Sequence, residues 1–145
     1  MINTKDCFKK RLLTKTNPSL GLAKKSLRQS KFFLKEGNDL IELDKKEMAV
    51  IALYNSFFHT SRALLFRDGI KERSHFCVAR YIESEYVDKK IISHKYLDHL
   101  DVLRDMRHET QYMVDTITIE ADLEEISRVC KEFTGVVEKL ITENL

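Results

Sequence analysis

The chain has 145 residues, 25 Lys and Arg against 23 Asp and Glu, one Pro, four Gly and no Trp. At roughly 150 residues per domain this allows one compact unit, and 43% hydrophobic residues exclude a wholly disordered chain. So few breakers disfavour a turn-rich sandwich or barrel, and a net charge of +2 does not by itself argue for a nucleic-acid partner.

Cys7, Cys77 and Cys130 are odd in number and show no CxxC spacing. That pattern predicts neither a disulfide framework nor a zinc site, and it points to the reducing cytoplasm. No apolar export segment opens the chain and no stretch approaches 18 apolar residues, so no membrane association is expected.

Residues 1–16, polar and basic, read as a flexible or partly helical arm, and 17–145 as a single helical domain. Asn17 and Pro18 start a first helix that ends at Gly37, with Leu20, Ala23, Leu27 and Leu34 on its apolar face. Asp44 and Glu47, three apart, form a capping box for a second helix that runs through Phe66 and stops at Asp68-Gly69. That helix is apolar around most of its girth, which puts it at the centre of the bundle. Ala52, Ser56 and Ala63 give it a strip of small residues for close approach.

Ser74 caps a third helix reaching about Lys90, with His75 assigned to that cap. Ser93 caps a fourth, through about Val114. Thr116 or Thr118 starts a fifth, whose apolar positions run from Leu123 to Ile141. Asp115 to Ile119 alternates, but no convincing strand competes. The expectation is an all-α, five-helix up-and-down bundle.

The fourth helix has the least ordinary pattern. Leu100, Leu103, Met106, Thr110, Met113 and Val114 form one arc, and Arg107 falls inside it. An arginine aimed at an apolar face needs a carboxylate, backbone carbonyls or a wet cleft. It either snorkels or pairs internally, or it lines a cleft where its planar fork can bind phosphate. Arg104 and His108 border the arc. On the second helix Asn55, His59 and Arg62 share a stripe that could face them, offering cations for a phosphodiester and imidazole for proton transfer. Alternatively, His59 is a hydrogen-bonded core histidine and Arg62 a surface charge. HExxH does not occur and the glycines are scattered, so no metal and no nucleotide cofactor is expected.

Two segments, LYNSFFHTSRALLFRDGIKERSHFCVARYIESEYVDKKII and LDHLDVLRDMRHETQY, resemble a HEPN domain of the small prokaryotic kind often encoded beside a minimal nucleotidyltransferase. The likeness lies in an aromatic helix ending in ALL and Gly, an SH start to the next helix, and a later helix with Arg followed by Tyr. It implies a HEPN-like bundle that forms a homodimer with a cleft at the interface. It further implies a metal-independent RNA endonuclease of a toxin–antitoxin or defence pair, neutralised by its nucleotidyltransferase partner.

The family motif is Arg, four to six residues, then His. Here the Arg is Arg107, and after four residues stands Tyr112. His108 follows Arg107 directly and lies one turn from Arg104. The site candidates are therefore Arg107, His108 and His59 for catalysis, with Arg104, Arg62 and Asn55 for RNA phosphates. By analogy with partners that adenylylate a tyrosine near the motif, Tyr112 is a candidate modification acceptor, or else it packs at an interface. A second class of function open to this sequence is a non-catalytic nucleotide- or RNA-binding dimer that partners the nucleotidyltransferase, and a third is a generic helical scaffold, should Arg107 be internally paired.

Overall fold

The computed structural model describes residues 2–112 and 119–143. Its order is α1 (Thr4–Lys9), β1 (Leu13–Lys15), α2 (Leu20–Glu42), α3 (Lys46–Asp68), β2 (Ile70–Glu72), α4 (His75–Ile82), a π-helical turn (Glu83–Val87), α5 (His94–Tyr112) and α6 (Leu123–Glu143). The fold is all-α. The five helices expected from periodicity are present, joined by the short α1. No helix among the described residues is long and apolar enough to cross a membrane.

The centre is α3, packed against α2, α4, α5 and α6. It buries Val50, Leu53, Tyr54, Phe57, Leu64 and Leu65 on several sides at once, which explains its apolar girth. Phe57 stacks on Phe133 of α6, and Tyr96 of α5 stacks on Phe133 as well. Between α2, α3 and α6 runs a buried polar seam. The Ser30 and Thr60 hydroxyls are 2.5 Å apart, Thr60 and Thr134 are 3.0 Å apart, and Ser56 donates to the Ser30 carbonyl. Each hydroxyl satisfies another, so the small residues allow close helix approach without orphaned polar groups.

Several expected boundaries move. The first helix begins at Leu20, where Ser19 accepts from the Leu22 amide, and continues through Gly37 to Glu42. Gly37 is buried mid-helix: a Cβ there would meet the Leu53 side chain at 2.9 Å. Its missing side chain serves helix contact, not termination. The Asp44–Glu47 capping box does not form, because Asp44 sits at φ +57° and the N-cap, Lys45, makes no side-chain cap bond. Gly69 does close α3, at φ +75°. The third helix changes to π winding after Ile82 and ends before Lys90. α6 starts at Leu123, with Asp122 accepting from the Glu125 amide; Thr116 and Thr118 lie outside the described residues, as do Met113 and Val114.

Two short strands also form. β1 pairs antiparallel with β2, Thr14 opposite Lys71. Ahead of them α1 carries an Asn3/Asp6 capping box, and Thr4 donates to the Arg80 carbonyl at 2.7 Å. Cys7 and Cys77, expected to be free, are joined in a disulfide across 70 residues, both wholly buried. An odd cysteine count concealed one pair. Residues 2–16 are thus tied to the bundle by ladder, hydrogen bond and covalent link.

Candidate functional site

The residues of interest come from three helices that meet around the ring of Tyr54. Tyr54 lies on the inner face of α3 and is 1% exposed, so its hydroxyl must find a protein partner. That partner is Nδ1 of His75, 2.8 Å away. His75 is the first residue of α4. Ser74, not His75, caps this helix, accepting from the Cys77 amide. The imidazole is therefore free to fold back on α3, where it stacks on Phe58 with centroids 4.0 Å apart. One face is covered, Nδ1 is engaged, and the residue as a whole remains exposed.

From α5, Arg107 lays its guanidinium on the Tyr54 ring, 4.7 Å from the centroid. Its Nε is buried and has no hydrogen-bond partner, and Arg107 pairs with no carboxylate among the described residues. The wheel placed it inside an apolar arc, and the structure shows what it meets there: an aromatic face, not an acid. Cation–π contact of this kind contributes about 0.5–2 kcal/mol and leaves the outward N–H donors available to an anion.

Arg104, one turn away, pairs with Asp101 at 2.9 Å and lies over Phe76. Arg80 of α4 takes the other oxygen of Asp101 and covers the same ring. Arg62 of α3 is ion-paired with Glu72 of β2 at 2.7 Å and stacks over Phe66. It is thus neither free nor a bare surface charge.

These cations converge electrostatically on one group. Burial, then Arg107, Arg62 and Arg104 in that order, hold the His75 pKa below its ordinary 6.5. Burial also raises that of Tyr54, against the opposing pull of Arg107 and Arg104. The imidazole is neutral at pH 7, and the cluster as a whole favours an incoming anion.

The other candidates divide. His59 faces the same region: burial, Arg62 and His75 lower its pKa to about 4. Its ring stacks on Phe33, nearly parallel at 5.6 Å, and makes no hydrogen bond among the described residues. Asn55 is half-buried on α3 and its side chain has no hydrogen bond among the described residues. His108 is exposed and sits 5.2 Å from the ring of Tyr112, itself 65% exposed. Arg62, Arg104, Arg107 and His59 are brought together, whereas His108 and Tyr112 form a separate outer pair. Sequence reasoning missed His75 and Tyr54, because one was assigned to a cap and the other to the core. The SH pair opening α4, 21 residues beyond an aromatic helix position, was the available signal.

The HEPN domain model matches residues 23–140, which takes in α3, α4 and α5 whole. The chain belongs to the HEPN family, whose members are generally nucleases or otherwise RNA-related and commonly dimerise. No curated protein matches it.

Proposed function

We propose that this HEPN protein is a metal-independent endoribonuclease acting in the cytoplasm as the effector of a toxin–antitoxin or defence pair. It works as a homodimer with RNA held in the cleft between subunits. The observation that carries this reading is that Arg107 pairs with no carboxylate among the described residues. A cation held on an aromatic face, without a carboxylate, keeps its donors for a ligand phosphate. Arg107 grips the scissile phosphate, and Arg104 and Arg62 add positive potential from either side. Family membership supports RNA as the source of that phosphate. A minimal nucleotidyltransferase is the partner, and the exposed ring of Tyr112 is accessible to it as an acceptor.

Total RNA incubated with the protein in EDTA tests this. Wild type should cleave and Arg107→Ala should not. Cleavage at background by both eliminates the nuclease. Sedimentation over a range of concentrations tests the dimer, and a strictly monomeric chain removes the shared cleft.

One observation favours a second reading. Tyr112 stands where the family motif has its histidine, and His108 beside it is exposed, with no arginine contact among the described residues. On that reading the dimer binds RNA or a nucleotide without cutting it. Salt-dependent RNA binding that Arg107→Ala weakens, with no cleavage by either protein, would select it.

A further inference from the structure

We propose that His75 is the proton-transfer residue of RNA cleavage and that Tyr54 positions it; this rests on the endoribonuclease reading above. The motif position on α5 lacks its histidine, so the imidazole must come from another element. Among the histidines only His75 combines a fixed ring nitrogen, an exposed edge and the company of the arginine cluster. His94 and His99 engage Nδ1 within their own helix, on Asp98 and on the Lys95 carbonyl. His59 has no hydrogen bond to fix its ring among the described residues, and His108 only a tilted contact with Tyr112.

The nature of the partner on Nδ1 matters. A carboxylate would stabilise imidazolium and keep the ring charged. The Tyr54 hydroxyl is neutral and both donates and accepts, so it holds the ring in place in either protonation state. When Nδ1 carries the proton it donates to the Tyr54 oxygen, and Nε2 faces outward with a free lone pair. His75 and Arg107 flank the same ring: the His75 centroid lies 5.9 Å and the Arg107 guanidinium carbon 4.7 Å from its centre. On this proposal a phosphodiester bound by Arg107 lies within reach of Nε2.

The step balances without a metal. Nε2 takes the proton of the ribose 2′-hydroxyl, and O2′ bonds to phosphorus. The P–O5′ bond breaks, and O5′ takes a proton from water. His75 then returns its proton to the hydroxide so formed. The products are a 2′,3′-cyclic phosphate and a 5′-hydroxyl. Around His75 the titratable and charged neighbours are Tyr54, His59 and Arg62 from α3 and Arg104 and Arg107 from α5, with Glu72 and Asp101 paired to two of the arginines. Their net effect keeps the base neutral at pH 7.

The test uses the full chain and an RNA oligonucleotide in EDTA. His75→Ala should lose about 10²–10⁴-fold in cleavage, the usual span for a general base, with RNA affinity unchanged and partial rescue by added imidazole. Tyr54→Phe should lose roughly tenfold in kcat at constant KM, about one hydrogen bond's contribution. It should cause no further loss in the His75→Ala background. Circular dichroism verifies folding, with His75→Gln as the second variant. Cleavage by His75→Ala at the wild-type rate overturns this assignment and leaves the nuclease reading intact. Background cleavage by wild type and every variant overturns both.

Discussion

The two ends of α4 lead into clusters made of the same side chains, arginine beside tyrosine, and a carboxylate distinguishes them. Beyond its C-terminal end, Asp68 Oδ2 accepts from Tyr81 at 2.9 Å and from Tyr86 at 2.6 Å, while its other oxygen pairs with Arg67. Arg67 also donates to the Tyr86 hydroxyl and to the Leu140 carbonyl, which ties α3 to α6. Burial, with Asp68 adding to it, pushes both tyrosines well above their ordinary pKa. At the N-terminal end Tyr54 bonds a histidine instead, and Arg107 has no acid among the described residues. The first cluster is satisfied by itself and acts as a clamp. The second is left with positive charge that a ligand can complete. Residue type alone does not separate structure from function here; the presence of a counter-charge does.

The strongest way to disturb this pairing is to loosen the helix that carries both ends. Cys77 lies two residues beyond His75, and its bond to Cys7 closes a loop of 70 residues. Cys7→Ser, or reduction, should lower stability by roughly 4 kcal/mol on the loop-entropy estimate, read as a drop in urea midpoint. Trapping the thiols by alkylation in intact cells will show which form the working compartment holds. Next, Asp68→Asn removes the acid from the closed cluster and should cost about 2 kcal/mol. Cleavage per folded molecule should not change. A large activity loss there would show that the two clusters are not independent.

The reverse exchange is informative too. His75→Glu puts an acid among the arginines of the open cluster. It should add about 0.5–1 kcal/mol of stability and sharply reduce RNA affinity, because an internal counter-ion now competes with phosphate. A smaller effect comes from pH. His59 and His75 have folded pKa values below 6.5, so the unfolded chain takes up protons first as pH falls. Unfolding free energy should therefore be flat in these groups above pH 6.5 and decline below it, levelling for His59 near pH 4. His59→Gln should reduce that decline in a melting series. Arg107→Ala should cost only about 0.5–1 kcal/mol, the lower part of the cation–π range for its contact with Tyr54, since it breaks no ion pair among the described residues.

Much of the fold was legible because helical periodicity reports burial directly. The girth of α3, the stripe on α6 and the Gly69 stop are all local facts. Gly37 misled because a missing side chain marks helix ends and close helix contacts alike, and only the position of Leu53 separates them. Asp44 and Glu47 had capping spacing, but the backbone at Asp44 took a left-handed turn. At the site, the wheel identified Arg107 as anomalous, since that judgement needs only its own helix. His75 could not be ranked this way. Its meaning comes from Tyr54, on another helix, and from arginines about 30 residues further on. The Cys7–Cys77 pair was hidden for the same reason, with α2 and α3 lying between the two cysteines in sequence.

The π-helical turn after α4 has one more effect. Tyr81 and Tyr86 are five positions apart, which in ordinary α winding would set them about 140° apart around the axis. The wide turn, with the Asp88 amide reaching back to the Glu83 carbonyl, returns the second ring to the side of the first, so one oxygen can hold both. Chain length between these tyrosines is therefore fixed more tightly than composition. Ser84 and Glu85 can vary, but inserting one more residue would swing one phenol away, whereas removing one would only return the pair to ordinary α spacing, and either change alters the heading at which the polypeptide enters α5.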